Sequence, residues 1–243
     1  MIFALHGALG LKQDWDPFLE NLKASETLSE EFVYCSNLYE TDPVSIEDTA
    51  RRLNDIASGF SSPRLLLGYS LGGRIAMTML VQAPELWQAA VFLGARLPME
   101  DEGEREQRRL WDHSWKEKCL HLPWSEFLKE WQALPVFQGR ALPDNRAELE
   151  SCRVRVAKSF ELWSPANAKV GLKDLLSVSK PILWVAGEDD LSYRDSNHRF
   201  AEASDDFSSC VIVGAAHRAH MEAPQLFAQC ILSFHKKHIQ VSK

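Results

Sequence analysis

The sequence feature that most constrains the fold is a pentapeptide with a serine at its centre, Gly68-Tyr69-Ser70-Leu71-Gly72. The apolar run 64–68 before it predicts a buried strand, and residues 72–81 after it predict a helix. So tight a strand-to-helix turn requires glycines, and it holds the serine hydroxyl above the sheet at the N-terminus of the helix. Free N–H groups and the helix dipole favour negative charge there. The pattern predicts Ser70 as a catalytic residue.

Short apolar runs alternate with amphipathic segments along most of the chain. Strands are predicted at residues 2–5, 32–35, 64–68, 89–94, 181–187 and 209–213. Helices are predicted at residues 45–59, 72–81, 195–203 and 223–235. Such alternation is typical of an α/β protein with a mainly parallel, doubly wound sheet.

Residues 98–172 interrupt this alternation. They are rich in Arg, Glu and Trp, and no segment among them reads as a strand. Five of the eight tryptophans lie there, and each could either line a site or only attach the segment to the rest of the protein. We therefore predict a helical cap at 98–172, inserted into a core formed by residues 1–97 and 173–243.

A serine hydroxyl needs an imidazole to take its proton and a carboxylate to orient that imidazole. In chains with this elbow, the acid and then the histidine follow the ends of later strands. Asp190 is the predicted acid, with Asp189 and Glu188 as alternatives. His217 is the predicted base, and His220 competes with it because it could lie on the same helical face.

Two backbone N–H groups are predicted to form an oxyanion hole beside the serine. One belongs to Leu71, the residue after the serine, and the other to Ala8, in the turn that follows the first strand. His6 is expected to brace that turn without taking part in the chemistry. Elbow, acid and histidine in this order predict an α/β-hydrolase fold.

Composition argues against several other classes of protein. The 243 residues carry a net charge of −7 and no run of five basic residues, which disfavours nucleic acid or a membrane surface as partner. The N-terminal residues do not resemble a signal peptide, and no apolar stretch approaches a membrane span of about 18–20 residues. Five scattered cysteines without C-x-x-C spacing indicate reduced thiols and no zinc site. We expect a cytoplasmic enzyme.

Arg74 narrows the choice of substrate. It follows Ser70 by four residues, so both lie on one face of the predicted helix, and helical side chains lean towards the N-terminus. A neutral ester needs no cation beside the serine, so a guanidinium there indicates an anionic substrate. The alternative is a structural arginine that forms a salt bridge with the inserted segment.

Five segments of the sequence form a further pattern: residues 68–74 (GYSLGGR), 108–115 (RRLWDHSW), 127–137 (FLKEWQALPVF), 187–190 (GEDD) and 216–224 (AHRAHMEAP). Together they resemble one family, the 2-succinyl-6-hydroxy-2,4-cyclohexadiene-1-carboxylate (SHCHC) synthases of menaquinone biosynthesis. The resemblance covers most of the chain. Its most specific part is the elbow arginine combined with the pattern in the cap.

The resemblance implies a small-molecule polycarboxylate substrate. In that family the substrate carries three carboxylates, which three arginines bind. By position, the binding residues would be Arg74, Arg108, Arg153, Tyr69 and Trp131. Arg109 and Arg155 remain alternatives for the two arginines of the cap.

The resemblance also implies a lyase that needs no metal or organic cofactor. Ser70 would remove a ring proton from 2-succinyl-5-enolpyruvyl-6-hydroxy-3-cyclohexene-1-carboxylate, and elimination of pyruvate would give SHCHC. The sequence departs from the family at Ala216, where glycine is usual, and at Ala8, where an aromatic residue is common. Residues 37–40 also replace a loop of the D-x-P-G type. These departures remove no catalytic group and leave room for a divergent substrate.

Two other functions are compatible with the same pattern. A carboxylesterase, such as one that cleaves methyl esters of acyl chains on a carrier protein, would share the elbow and the triad but would not need Arg74. A non-catalytic ligand receptor would need no intact Ser70, Asp190 and His217. Release of pyruvate, set against hydrolysis of nitrophenyl esters, distinguishes the lyase from the esterase.

Overall fold

Six parallel strands form one sheet in the computed structural model, which describes residues 1–24, 33–141 and 143–239. The strands are β1 (Ile2–Leu5), β2 (Val33–Ser36), β3 (Leu65–Tyr69), β4 (Ala89–Leu93), β5 (Ile182–Gly187) and β6 (Phe207–Ile212). Their order in the sheet is β2-β1-β3-β4-β5-β6, so the direction of winding reverses after β2. The strands agree with the predicted ones to within two residues at each end.

Ten α-helices surround this sheet in the described part of the chain. They are α1 (Asp16–Ala24), α2 (Ile46–Ser58), α3 (Leu71–Gln82), α4 (Glu102–His121), α5 (Trp124–Gln132), α6 (Arg153–Leu162), α7 (Leu172–Ser177), α8 (Leu191–Ala201), α9 (Ala219–Glu222) and α10 (Pro224–His238). Helix α8 begins at Leu191, whereas the sequence pattern predicted a start at residue 195. None of the helices described here is long and apolar enough to cross a bilayer.

The sheet is covered on both faces, as predicted for a doubly wound fold. Successive side chains of a strand point to opposite faces. Phe3 and Leu5 of β1 therefore belong to a core that includes residues of α2 and α3. Ile2 and Ala4 belong to a second core, which includes residues of α1 and α10. All four side chains are fully buried.

Helix α2 shows how the local sequence sets a boundary and a face. The hydroxyl of Ser45 accepts a hydrogen bond from the backbone N–H of Asp48 at 3.0 Å and so caps the N-terminus of the helix. The buried face of this helix passes through Leu53 and Ala57 and leaves Ile56 45% exposed.

The segment between β4 and β5 is helical and contains no strand among its described residues. Its aromatic side chains pack on one another, with the rings of Trp115 and Trp131 5.0 Å apart. Trp163 attaches the segment to the sheet domain, because its indole N–H donates to the carbonyl of Val44 at 3.0 Å. The boundaries of a separate cap at 98 and 172 stay a prediction.

Candidate active site

The elbow that carries Ser70 is packed as tightly as the pattern requires. A Cβ at position 72 would lie 2.4 Å from the carbonyl oxygen of Leu5, and one at Gly68 would lie 2.6 Å from the carbonyl oxygen of Gly72. Ser70 has a φ of 51°, in a region that residues other than glycine rarely adopt. Its backbone N–H donates to the carbonyl of Leu93 at 2.8 Å, which helps to hold this strained turn in place.

Ser70, His217 and Asp190 form one hydrogen-bonded chain. The Oγ of Ser70 lies 3.1 Å from Nε2 of His217, and Nδ1 of His217 lies 2.7 Å from Oδ2 of Asp190. The side chains of His217 and Asp190 are only 4% and 6% exposed. With the carboxylate holding a proton on Nδ1, Nε2 is free to accept the proton of the serine. The three groups can therefore act as a nucleophile or as a base.

The other two carboxylates of the same loop are occupied elsewhere. Asp189 accepts a hydrogen bond from Arg140 at 2.7 Å, and Glu188 accepts one from the backbone N–H of Gly214 at 3.0 Å. Of the three acids that the sequence offered, the structure brings Asp190 to the histidine.

His220 lies in the core, away from Ser70. Its ring is fully buried, with centroids 4.6 Å from the ring of Trp15 and 4.5 Å from that of Tyr69. Neither ring nitrogen has a hydrogen-bond partner in the described part of the chain. Burial, followed by the positive charge of Arg218, lowers the pKa of His220 well below its usual value. His220 is a neutral core residue, and His217 is the histidine at the serine.

The two predicted oxyanion donors, Ala8 and Leu71, lie on the wall of the cavity that contains Ser70. Leu71 is the first residue of α3, where a backbone N–H has no partner within the helix. His6 braces the other side: its Nδ1 lies 2.8 Å from the carbonyl of Gly7, and its Nε2 accepts the N–H of Leu38 at 3.0 Å. Burial lowers the pKa of His6 to about 4, so the ring stays neutral in this role.

This cavity has a volume of about 320 Å³ and lies between the sheet and the helical segment. It is lined by Ala8, Tyr69, Ser70, Leu71, Arg74, Arg108, Trp111, Trp131, Leu134, Pro135, Val136, Phe137, Pro165, Tyr193 and His217. The walls are mainly apolar and aromatic, and the two guanidinium groups are the charged groups that they present beside the triad. The predicted contact residues Tyr69 and Trp131 lie here, and so does Trp111.

Arg74 reaches the cavity from the first turn of α3, and it forms no salt bridge with any described residue. Its side chain donates to the carbonyl of Trp163 at 3.1 Å, while its Nε is buried without a partner in the described chain. Burial, and then the nearby charge of Arg108, lower the pKa of Arg74 to about 10, so it remains protonated near neutral pH. A buried cation with an unused donor is suited to an anionic ligand.

Arg108 faces the cavity, and Arg109 does not. Arg108 stacks over the ring of Trp111 at 4.3 Å and donates from Nε to the buried carboxylate of Asp112 at 2.9 Å. Only its Nε has a partner among the hydrogen bonds of the described residues, so its terminal nitrogens remain available. Arg109 is 41% exposed and pairs with Glu102 and with a second glutamate of α4.

The structure does not bring Arg153 to the cavity, contrary to the expectation from the resemblance. Its guanidinium lies 5.2 Å from the ring of Trp124 and donates to the carboxylate of Glu150 at 3.1 Å. The alternative, Arg155, is also turned away and donates to the backbone carbonyl of Glu40 at 2.9 Å. The rotation of α6 and these local partners hold both guanidinium groups at other surfaces.

Sequence reasoning missed Tyr193. Its ring lies 4.8 Å from that of His217, and its side chain forms part of the cavity wall. Helix α8 begins at Leu191, directly after Asp190, and this start places Tyr193 in the first turn. The signal in the sequence was the aspartate itself, a residue type common at helix N-caps.

The described residues contain no cluster of three or more His, Cys, Asp or Glu side chains arranged to hold a metal ion. The fold and the serine, histidine and aspartate at its centre define the class of protein. The model of the alpha/beta hydrolase family matches residues 2–230, and the chain belongs to that family.

Relatives define the narrower group. The chain is 31% identical to the 2-succinyl-6-hydroxy-2,4-cyclohexadiene-1-carboxylate synthase of Salmonella newport, over 90% of this chain and 87% of the relative. It is 28% identical to the enzyme of the same name from Yersinia enterocolitica, over 95% of this chain and 84% of the relative. Within the α/β hydrolases, the chain belongs with the SHCHC synthases.

Solved structures confirm the fold. The chain superposes on MenH from S. aureus with a TM-score of 0.85 at 20% identity, over 98% of this chain and 94% of that one. A thermophilic esterase from Thermogutta terrifontis gives a TM-score of 0.74 at 19% identity, over 98% and 90%. The fold is therefore shared by MenH and by an esterase, and it does not by itself decide the activity of this chain.

Proposed function

We propose that this protein is a lyase of menaquinone biosynthesis that eliminates pyruvate from 2-succinyl-5-enolpyruvyl-6-hydroxy-3-cyclohexene-1-carboxylate to give SHCHC. The observation that carries the proposal is the placement of Arg74 and Arg108 in the cavity that contains Ser70. Two guanidinium groups in the cavity of the reacting serine suit a polycarboxylate, and a neutral ester would leave Arg74 without a counter-charge. The relatives named SHCHC synthase support the same reading.

The proposed reaction uses the triad as a base. His217, oriented by Asp190, accepts the hydroxyl proton of Ser70, and the serine oxygen removes a proton from the substrate ring. The electrons of that C–H bond move into the ring and the neighbouring succinyl carbonyl, whose oxygen gains negative charge. In the proposed reaction the backbone N–H groups of Leu71 and Ala8 stabilise that oxygen.

The second half of the reaction breaks a bond between the ring and oxygen. The electrons return from the carbonyl, a new ring double bond forms, and the C–O bond to the enolpyruvyl group breaks. The leaving group takes up one proton and becomes pyruvate. One proton is thus removed from the ring and one is added to the product, so the reaction is balanced. No acyl-enzyme is formed, and the chemistry requires no group beyond the side chains and backbone named here.

The electrostatics of the cavity support a substrate with several negative charges. The protein as a whole carries a net charge of −7, which disfavours a polyanion at long range. At the cavity wall the sign is reversed, because Arg74 and Arg108 line it, no carboxylate is among its described lining residues, and Arg74 has no ion-pair partner in the described chain. Local cations on a net-acidic protein favour selective binding of an anion at this point.

The test compares two activities of the same purified protein. Pyruvate release from the enolpyruvyl substrate is measured beside hydrolysis of p-nitrophenyl acetate, with Ser70→Ala as the control for both. We expect pyruvate release that depends on Ser70 and exceeds ester hydrolysis by orders of magnitude in kcat/KM. Rapid ester hydrolysis without pyruvate would establish the esterase alternative and reject the lyase.

A further inference from the structure

A second cavity adjoins the one that contains the triad. It has a volume of about 510 Å³ and is lined by Arg96, Leu97, Pro98, Glu100, Val136, Ser192, Tyr193, Ser196 and Phe200. The two cavities share the side chains of Val136 and Tyr193 as walls. A substrate that fills the first cavity and extends past these two residues would enter the second.

Arg96 supplies positive charge to this second cavity. It lies just beyond the end of β4, on the same edge of the sheet as Ser70, and its side chain is half-buried. Arg96 forms no hydrogen bond or ion pair with any residue that the structure describes. Glu100 lines the same cavity but is exposed to solvent and forms no salt bridge in the described chain. The guanidinium of Arg96 is therefore available to a ligand.

Tyr193 connects Arg96 with the two arginines of the triad cavity. Burial and the negative charge of Asp190 raise the pKa of the Tyr193 hydroxyl, and the positive charges of Arg74, Arg96 and Arg108 act on it in the opposite direction. The charges of Arg108 and Arg96 also lower the pKa of Arg74 after the larger effect of burial, whereas the charge of Asp112 raises it. Three positively charged side chains from different parts of the sequence therefore lie close enough to Tyr193 to act on its hydroxyl.

Two carboxylates act on this cluster, and in the described chain neither forms a salt bridge with Arg74 or Arg96. Asp190 is occupied by His217, and Asp112 accepts hydrogen bonds from Arg108 and from the hydroxyl of Ser164. Like charges held near one another in a partly buried site repel each other, and a bound anion removes that cost. The arrangement is suited to a ligand with more than one carboxylate.

We propose that Arg96 and the hydroxyl of Tyr193 form an anion-binding subsite, which receives a carboxylate arm of a substrate whose reacting carbon lies at Ser70. The subsite deepens the function proposed above and rests on it for the identity of the whole substrate. It assigns a role to Arg96 that the sequence patterns did not assign. The ligand class is a di- or tricarboxylate with one carboxylate in the triad cavity and another beyond Val136.

The test measures binding without turnover. Tricarballylate, a stable tricarboxylate, is titrated into the protein by isothermal titration calorimetry. We expect Arg96→Ala to weaken its binding at least about tenfold, because a charge-assisted contact contributes roughly 1.5–3 kcal/mol. Arg96→Lys should retain part of the affinity, and Tyr193→Phe should weaken binding by a smaller factor. Arg109→Ala removes an equal charge at an exposed site outside both cavities and should leave the affinity unchanged.

Kinetics with the enolpyruvyl substrate separate this subsite from the proposed reaction. In Arg96→Ala, KM for pyruvate release should rise at least about tenfold while kcat changes less, because the contact is remote from the reacting bond. If the wild-type protein binds tricarballylate through Arg96 but releases no pyruvate, the lyase proposal fails and the subsite stands. If pyruvate is released and Arg96→Ala matches the wild type in binding and KM, the subsite is rejected. Failure of tricarballylate to bind the wild-type protein would also reject it.

Discussion

Arg140 and Glu222 form an ion pair of 2.7 Å that joins the helical segment above the sheet to the loop that carries His217. The carboxylate of Glu222 also accepts hydrogen bonds from the backbone N–H groups of Ala216 and Arg218, at 2.5 and 3.3 Å. These two residues flank the histidine on either side. One carboxylate thus fixes the turn that presents His217 to the serine and fastens the covering segment to it.

Arg140 also contacts the acid loop, since its other terminal nitrogen donates to Asp189 at 2.7 Å, beside Asp190. We expect Arg140→Ala to lower kcat about tenfold or more, because small displacements of acid and base are costly in rate. The free energy of unfolding should change by less than about 1 kcal/mol, because the pair is partly exposed. Steady-state kinetics and urea unfolding measure the two effects.

Arg109→Ala is the matched control for that variant, because Arg109 also pairs with two carboxylates but lies away from the triad. It should leave kcat unchanged. A positioning role for Arg140 predicts that Arg140→Lys, which keeps one charged donor, recovers part of the lost kcat. Equal kcat in Arg140→Ala and the wild-type protein would show that the ion pairs do not align the triad.

The triad could be predicted from sequence because each member has a local signal. The glycines around Ser70 indicate a turn that has no room for side chains at those positions. Asp190 and His217 each follow a short apolar strand, at the same edge of a parallel sheet. Adjacency at that edge follows from topology alone. The structure was needed to choose between His217 and His220. They are only three residues apart in sequence, yet His217 lines the cavity and His220 is buried in the core.

The positions of the arginine side chains could be predicted only in part. Arg74 lies on the same helix as the elbow, four residues after Ser70, so the sequence could predict that its side chain points towards the serine. Arg153 lies on α6, and whether its side chain reaches the cavity depends on how that helix is rotated against its neighbours. Its local partners, Trp124 and Glu150, hold it elsewhere. Arg96 lies in a loop without a repeating pattern, so only the tertiary structure shows its neighbours.

Tyr193 was missed because a helix boundary was predicted too late. Asp190 occupies the N-cap position of α8, but its side chain makes no capping hydrogen bond, because the carboxylate is turned towards His217. A residue type that signals a helix start was interpreted only as a catalytic acid. Asp190 is both the N-cap residue of α8 and the carboxylate at His217. Because the helix starts directly after it, Tyr193 lies in the first turn.

Replacing each histidine separates the base from the core residue. His217→Ala should reduce kcat for pyruvate release by at least about a thousandfold, because loss of one triad member removes most of the acceleration. His220→Phe should retain the wild-type kcat and fold stably, since the ring lies among Trp15, Tyr69 and Phe227 and its nitrogens have no partners in the described chain. A large loss of kcat in His220→Phe with an intact fold would contradict this assignment.

Alanine substitutions at the arginines test which guanidinium groups contact the substrate. Arg74→Ala and Arg108→Ala should each cost roughly 2–4 kcal/mol of transition-state stabilisation, the range for a lost charge-assisted contact in a partly buried site, which lowers kcat/KM by about 30-fold to 900-fold. Arg153→Ala should leave kcat/KM within about twofold of the wild-type value, because the guanidinium lies against Trp124 and Glu150. A loss at Arg153 as large as that at Arg74 would mean that α6 rotates when substrate binds.

The neutral state of His6 predicts a loss of stability in acid. Burial lowers the pKa of His6 from 6.5 to about 4 in the folded protein. Between these two values the unfolded chain binds a proton that the folded protein does not, so the free energy of unfolding decreases as the pH falls from 6.5 towards 4. The neutral His6 therefore makes the free energy of unfolding about 3 kcal/mol larger above pH 6.5 than at pH 4, and this difference is lost between the two values.

Urea unfolding at pH 7 and pH 4.5 measures this effect as a difference between variants. His6→Asn keeps an amide donor and acceptor for Gly7 and Leu38 but has no proton to titrate in this range. Between pH 7 and pH 4.5, the free energy of unfolding should decrease by about 2–3 kcal/mol less in His6→Asn than in the wild-type protein. His198→Asn, at an exposed histidine whose ring has no partner in the described chain, is the control and should follow the wild type closely. An equal pH dependence in His6→Asn and the wild-type protein would show that His6 is not held neutral by the fold.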